Sequence, residues 1–201
     1  MIGIIDYGLG NVQSFINGYR ILGKKAVAIN NPKQLKKMNR LILPGVGSFD
    51  MAMKRLNSSG LIIDIEDLIF NKSVPILGVC VGLQIMAKKS DEGISRGLGW
   101  LNAEVKKIEN KNHLPLPHMG WNNINVEDKD SKLLAGVNKK RFYFLHSYHV
   151  ISQNKDNLIA STNYGGRILA AASKENIFGC QFHPEKSHNA GLQVLENFSK
   201  I

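Results

Sequence analysis

The first ninety residues alternate short apolar, β-rich runs with segments of helical period, an order that points to a layered α/β domain with a largely parallel sheet. Ile2–Asp6 reads as a buried strand opening into the loop Tyr7–Asn11. Val12, Phe15, Ile16 and Tyr19 then recur at helical spacing, and Gly23 stops that helix. Ala26–Asn30 reads as a second strand, closed by Asn31-Pro32, and Arg40–Leu43 as a third, running into Pro44-Gly45-Val46-Gly47. Two short helices over Phe49–Leu56 and Leu61–Phe70 precede a fourth strand, Val74–Val79, and helical spacing resumes from Leu83 to Lys88. The second half changes character: Ala103–Ile108, Phe142–Ser147, Leu158–Ser161, Ile168–Ser173 and Ile177–Phe182 are strand-like, and Ala190–Ser199 is a closing amphipathic helix. Neither a repeat nor a composition break marks a linker, so residues 1–201 are expected to form one domain.

At 201 residues and 43% hydrophobic, the chain has the apolar mass for a single real core but no room for a second enzyme. No run of about 18 apolar residues occurs, so no spanning helix and no membrane partner is expected. MIGIIDYGLG carries Asp6 and lacks a basic leader, and two cysteines a hundred positions apart make neither a disulfide framework nor a zinc pattern. Both features place the protein in a reducing cytoplasm. The net charge of +10 is gathered locally, at Lys33, Lys36, Lys37 and Arg40 and again at Lys139, Lys140 and Arg141. With no recognition helix or RNA-binding aromatic motif beside them, a solvated surface is expected over a nucleic-acid site. Nine basic against two acidic residues in the first 55 leave an acidic protein partner open.

Gly78-Val79-Cys80-Val81-Gly82 sits between a predicted strand and a predicted helix. That is the logic of a nucleophile elbow. The reactive residue occupies a tight, strained turn, small residues two before and two after it relieve crowding, and the next helix aims its N-terminus at the sulfur. The Val81 N–H then points where an oxyanion would form. The competing reading is a buried structural cysteine in a glycine-rich strand end.

Late in the chain, Gly179, Gln181 and His183 alternate with Phe178, Cys180 and Phe182, so His183 faces away from Cys180. Pro184 ends the ladder and Glu185 follows, placed to accept from one ring nitrogen so that the other faces Cys80. Cys180 is expected to pack. Among the remaining histidines, His113, His118, His146, His149 and His188, no pair has chelating spacing with a completing ligand, so no metal is expected.

Together these residues resemble the class I (triad) glutamine amidotransferases and, within that class, the glutaminase subunits of imidazole glycerol phosphate synthase. The similarity runs nearly end to end. It is carried by Ile4-Ile5-Asp6-Tyr7-Gly8 with Gly10-Asn11, Leu43-Pro44-Gly45-Val46-Gly47-Ser48-Phe49, the elbow with Leu83-Gln84, Pro117-His118-Met119-Gly120-Trp121-Asn122, Phe142–Tyr148 and Gln181–Ser187. The resemblance implies the class I amidotransferase fold, a mostly parallel central sheet flanked by helices with additional antiparallel strands. It implies Cys80 as nucleophile, His183 as proton carrier and Glu185 as its orienter, with backbone N–H groups of Val81 and of Val46 or Gly47 forming the oxyanion hole. Gly47, Gln84, Glu92, Ser147 and Tyr148 match positions that hold L-glutamine. Asn11, Trp121, Tyr143 and Lys186 match positions near the interface with a TIM-barrel cyclase, the partner in a heterodimer. No cofactor is implied.

Val81 stands where Leu is more usual, Leu83 where Met is common and His149 where many members carry Tyr. None of these removes a catalytic group, but they leave the ammonia acceptor open between the histidine pathway and a sugar-modifying synthase. A silent regulatory relative would have lost Cys80 or His183, and a cysteine peptidase has no use for a pocket that fits one free amino acid.

Overall fold

The computed structural model describes residues 1–109, 114–153 and 157–201; His113 lies outside them. In chain order the elements are β1 (Ile2–Ile5), α1 (Val12–Ile21), β2 (Ala26–Ile29), α2 (Pro32–Leu35), β3 (Arg40–Gly45), α3 (Phe49–Ser58), α4 (Ile62–Glu66), β4 (Ile76–Cys80) and α5 (Val81–Gln84). There follow β5 (Ala103–Lys107), β6 (His118–Asn123), β7 (Asn125–Val126), β8 (Arg141–His146), β9 (Tyr148–Ser152), β10 (Leu158–Asn163), β11 (Arg167–Lys174), β12 (Ile177–Cys180) and α6 (His188–Phe198). The main sheet has the order β2-β1-β3-β4-β12-β11-β10-β7. Its first five strands are parallel and the rest antiparallel. Two antiparallel ribbons, β5–β9 and β6–β8, complete the expected α/β architecture.

Local chemistry explains where the boundaries moved. β4 begins at Ile76 because Pro75 has no N–H to give; its carbonyl still accepts from Leu41 at 2.9 Å. β3 runs on through Pro44 to Gly45, beyond the expected end at Leu43. Its pairing with β1 stops at Ile4↔Ile42, so past that point only β4 is a neighbour and the missing Pro44 donor breaks no ladder bond. The helix expected from Leu83 starts earlier, directly at Val81, and is only four residues long. The segment expected as a helix over Leu61–Phe70 is α4 followed by a π-helical turn, Asp67–Asn71. β6 and β9 are strands that periodicity did not reveal: β6 reads His-Met-Gly-Trp-Asn-Asn, rich in residues that disfavour strands. Both owe their conformation to pairing with distant segments.

The core is one cluster in which β1, β3 and β4 are buried almost throughout, as strands covered on both faces must be. This rigid parallel half carries Cys80 at the carboxyl end of β4. The ribbon β6–β8 and the end of β12 bring the remaining groups to it.

Candidate active site

Cys80 stands at φ 54°, ψ −112°, a region that L-residues avoid at a cost of about 1–3 kcal/mol. Three glycines make the strain tolerable. A Cβ on Gly78 would lie 2.8 Å from the Gly82 carbonyl oxygen and the Leu83 nitrogen; one on Gly82 would strike the Leu43 carbonyl of β3; one on Gly45 would strike the Gly82 nitrogen. The expected crowding is real, but half of it comes from β3 and not from the turn itself. Tyr7 adds a further brace that sequence reasoning did not assign: its hydroxyl donates to the Pro44 carbonyl at 2.7 Å. Burial, helped by the charge of Cys80, pushes the Tyr7 phenol up, so it stays a donor.

His183 follows the end of β12, and its Nδ1 is 2.8 Å from Glu185 Oε1, with both side chains almost fully buried. Burial alone would pull the imidazole below its ordinary value. Hydrogen bonds to Cys80 and Glu185, with the charges of both, reverse this and push it up to about 10. An imidazolium held between a carboxylate and a sulfur is the proton donor that a thiolate attack on an amide requires. The backbone of His183 is clamped as well. Its N–H donates to the Tyr143 carbonyl at 2.9 Å, and its carbonyl accepts from Ser187 Oγ at 2.6 Å, which in turn accepts from the Tyr143 N–H at 3.0 Å. Ser187 was missed; nothing in its local sequence announces that bond. Gln181, also missed, is fully buried and donates to Cys80 Sγ at 3.6 Å. Its signal was legible, since i and i+2 share a strand face and it precedes His183 by two. Cys180 is buried on the other side, where burial holds its thiol far above the ordinary value.

Gly47, Cys80, Val81, Gln84, Glu92, Ser147 and Tyr148 line one cavity of about 50 Å³, joined by Leu145 and His146, which sequence reasoning did not assign. Val46, next to Gly47, is 40% exposed and is not among the lining residues. Gln84 Nε2 donates to the Tyr148 carbonyl at 2.9 Å and to Gln181 Oε1 at 3.0 Å, so what its amide can turn toward a ligand is the carbonyl oxygen. Glu92 accepts from the Phe49 N–H at the start of α3, at 2.7 Å. Asp50 ties the following loop to the same helix by accepting from Ser95 and Ile94, bonds that hold its carboxyl below the ordinary value. Roomier clefts of about 610 and 410 Å³ lie elsewhere, and neither reaches the thiol. Among the described residues no group of three His, Cys, Asp or Glu could hold a metal.

A strained, glycine-framed cysteine coupled to a carboxylate-held histidine is the arrangement that hydrolytic triads use. The family model for class-I glutamine amidotransferases matches residues 3–201. The chain belongs to that family. Curated relatives include the imidazole glycerol phosphate synthase subunit HisH of Leptospira interrogans, 43% identical, and that of Leptospira borgpetersenii, 45% identical. The same subunit of Bdellovibrio bacteriovorus is 44% identical, and all three alignments cover the whole of both chains. Among solved structures, a glutamine amidotransferase superposes with a TM-score of 0.77 at 18% identity, covering 98% of each chain. The PurLQS structure from Thermotoga maritima gives 0.75 at 16% identity, over 99% of this chain and 97% of that one. At such identities these structures speak to the fold alone.

On this amidotransferase, three of the four residues matched to a partner interface come together. Trp121 and Tyr143 face each other across β6–β8 with ring centroids 6.2 Å apart, and Lys186 Nζ lies 5.6 Å over the Tyr143 ring. Met119 and Leu145 pair on the same ribbon, at 62% and 37% exposure, giving an apolar face beside the thiol, whose Sγ is 3.8 Å from the Leu145 carbonyl. Asn11 does something else: its side chain caps α1 by accepting from the Ser14 N–H at 3.2 Å. No helix among the described residues is long and apolar enough to cross a membrane.

Proposed function

We propose that this single-domain amidotransferase, spanning 1–201, is the glutaminase subunit of an imidazole glycerol phosphate synthase, working in the cytoplasm in histidine biosynthesis. The observation that carries the reading is the His183–Glu185 pair, 2.8 Å apart, with the ring coupled to the strained Cys80. The Cys80 thiolate attacks the side-chain amide carbon of L-glutamine. The resulting oxyanion is met by the N–H of Val81 and by one from Val46 or Gly47, a donor of that kind being worth roughly 3–4 kcal/mol of barrier. His183 gives its proton to the departing nitrogen, which leaves as ammonia, and a γ-glutamyl thioester remains on Cys80. His183, now neutral, takes a proton from water as the water attacks the thioester; glutamate leaves and the thiolate–imidazolium pair is restored. Glu185 holds the ring throughout. Gly47, Gln84, Glu92, Ser147 and Tyr148 hold the amino acid, with the Glu92 carboxylate suited to its α-ammonium.

Ammonia let into water at pH 7 is mostly protonated and no longer a nucleophile, so it must pass directly to an acceptor site. The amidotransferase domain accounts for residues 3–201, so the acceptor is assigned to a partner, a TIM-barrel cyclase forming a heterodimer. The apolar face of Trp121, Tyr143 and Leu145 with Lys186 beside the thiol is where it docks, with Asn11 matched to the same interface by resemblance alone. The three relatives, each an imidazole glycerol phosphate synthase subunit by name, support the histidine-pathway acceptor over a sugar. Copurification from the native host should return a TIM-barrel cyclase whose phosphoribulosyl-aminoimidazole substrate switches on glutamine hydrolysis. Cys80→Ala should abolish that hydrolysis, by about four orders of magnitude or more, yet leave synthesis from added ammonium. A partner that responds only to a nucleotide sugar would overturn the pathway; loss of ammonium-dependent synthesis would overturn the division of labour.

A further inference from the structure

Two histidines that the mechanism does not use are buried at the cavity, His146 in its lining and His118 bonded to it outside that lining. His146 Nδ1 is 2.8 Å from the Tyr148 carbonyl, and His146 Nε2 is 3.0 Å from His118 Nδ1. His118 Nε2 is in turn 3.4 Å from Asn122 Nδ2. These contacts leave only one assignment of protons. A carbonyl can only accept, so His146 carries its hydrogen on Nδ1 and, being neutral, offers a bare Nε2. His118 must then donate from Nδ1, which leaves its own Nε2 bare to accept from Asn122. The Asn122 amide is fixed in turn, because its Nδ2 also donates to the Asn163 carbonyl at 3.0 Å and its Oδ1 accepts from the Asn123 N–H at 2.8 Å. The His118 ring cannot turn, stacked between Phe144 and Tyr164 at 4.7 and 4.0 Å. Burial drives both imidazoles well below their ordinary values, to about 4 and 3, which keeps them neutral.

We propose that His118 and His146 are positioning residues for substrate, a one-way relay of two neutral imidazoles that holds the Tyr148 carbonyl and, through it, the Gln84 amide in the orientation that glutamine binding needs. The proposal rests on the reading of that cavity as a glutamine site. The Tyr148 carbonyl accepts from His146 and from Gln84 Nε2 together. With the second Gln84 hydrogen given to Gln181, the amide has a single face left for ligand. Loss of the His146 donor would free the carbonyl to turn and the Gln84 amide with it. The effect falls on binding, because the hydrogen bonds of the two rings go to each other, to Tyr148 and to Asn122, and not to Cys80 or Glu185.

Variants of His146 in the full chain with its partner test this. His146→Leu removes the donor at similar bulk; His146→Asn places an amide N–H where Nδ1 was. The Leu variant should raise the KM for glutamine about tenfold while kcat changes by less than about threefold, and the Asn variant should recover most of the loss. Alkylation of Cys80 by iodoacetamide should proceed at the native rate in both. A fall in kcat at unchanged KM, or equal losses in Leu and Asn, would make the pair mere packing and overturn the proposal. If the native complex itself turned over no glutamine, the functional reading would fail instead. Imidazole nitrogen NMR on the native protein decides the matter even if His146→Leu does not fold: both rings should be protonated at Nδ1 and bare at Nε2. The opposite tautomer at His146 would overturn the relay.

Discussion

Cys80 and His183 are coupled to each other but held by different physics. Cys80 is fixed by backbone contact: a strained residue at the end of a buried parallel strand, with Gly45, Gly78 and Gly82 leaving no room for one more carbon. His183 is fixed by directed hydrogen bonds, given to Glu185 and the Tyr143 carbonyl and accepted from Ser187, on the segment that follows β12. Close packing fails abruptly, whereas a hydrogen-bonded clamp loosens one bond at a time. Substitutions on the two sides should therefore differ in kind as well as in size.

The largest effect belongs to the cysteine side. Gly82→Ala should cost more than about 3 kcal/mol or prevent folding, because its methyl group would strike the Leu43 carbonyl in a strand that cannot retreat. Gly23→Ala is the control. Gly23 has φ +66° with open space around it, so only the left-handed conformation is penalised, by about 1–2 kcal/mol. Urea unfolding of the two variants separates crowding from backbone preference, and equal costs would break the contrast.

This contact-built half is also the half that the sequence discloses. Gly78 and Gly82 flank Cys80 at fixed offsets, and the strand before them is a continuous apolar run, so strand, turn and nucleophile are all local signals. The histidine side is legible only at His183, Pro184 and Glu185. Ser187 acts through Tyr143, 44 positions away, and the strand that holds Tyr143 pairs with β6, whose Gly120, Asn122 and Asn123 argue against a strand. His146 has no assigned role when read from spacing and becomes a neutral donor once His118 is placed beside it. Such roles arise from pairs of residues brought together by the fold, and neither member carries the message alone.

On the histidine side the next effect is chemical. Glu185→Gln keeps a hydrogen-bonding group beside Nδ1 but removes the charge that steadies the imidazolium. The kcat for glutamine should fall about a hundredfold or more. KM should stay near the native value, because Glu185 does not line the substrate cavity. A rise in KM alone would move Glu185 out of the triad. Ser187→Ala should be milder, about 1–3 kcal/mol of stability for the Tyr143 N–H left buried without its acceptor. About a tenfold loss of kcat should follow as His183 gains freedom, with thermal unfolding and steady-state rates as the two readouts. A loss as abrupt as that of Gly82→Ala would mean the clamp is as brittle as the elbow.

The smallest effect is a slope. His183 binds its proton more tightly in the folded chain, up to about 10 against an ordinary 6.5, because Cys80 and Glu185 outweigh the cost of burial. A group raised on folding contributes its full stabilisation below the unfolded value and loses it as pH climbs through the folded one. The unfolding free energy should therefore carry a decline between about pH 6.5 and 10 that belongs to this ring. Lysines and tyrosines titrate at the upper end of the same range, so the decisive quantity is the difference between native and Glu185→Gln proteins. Removing the carboxylate lowers the folded value of His183, which should make the variant's decline shallower and end it at lower pH. The imidazole proton signals of His183 should shift their midpoint in the same direction. An unchanged slope with an unchanged midpoint would mean that Glu185 orients the ring without holding its charge, leaving Cys80 as the sole electrostatic partner and drawing the two sides of the site closer in kind than their construction implies.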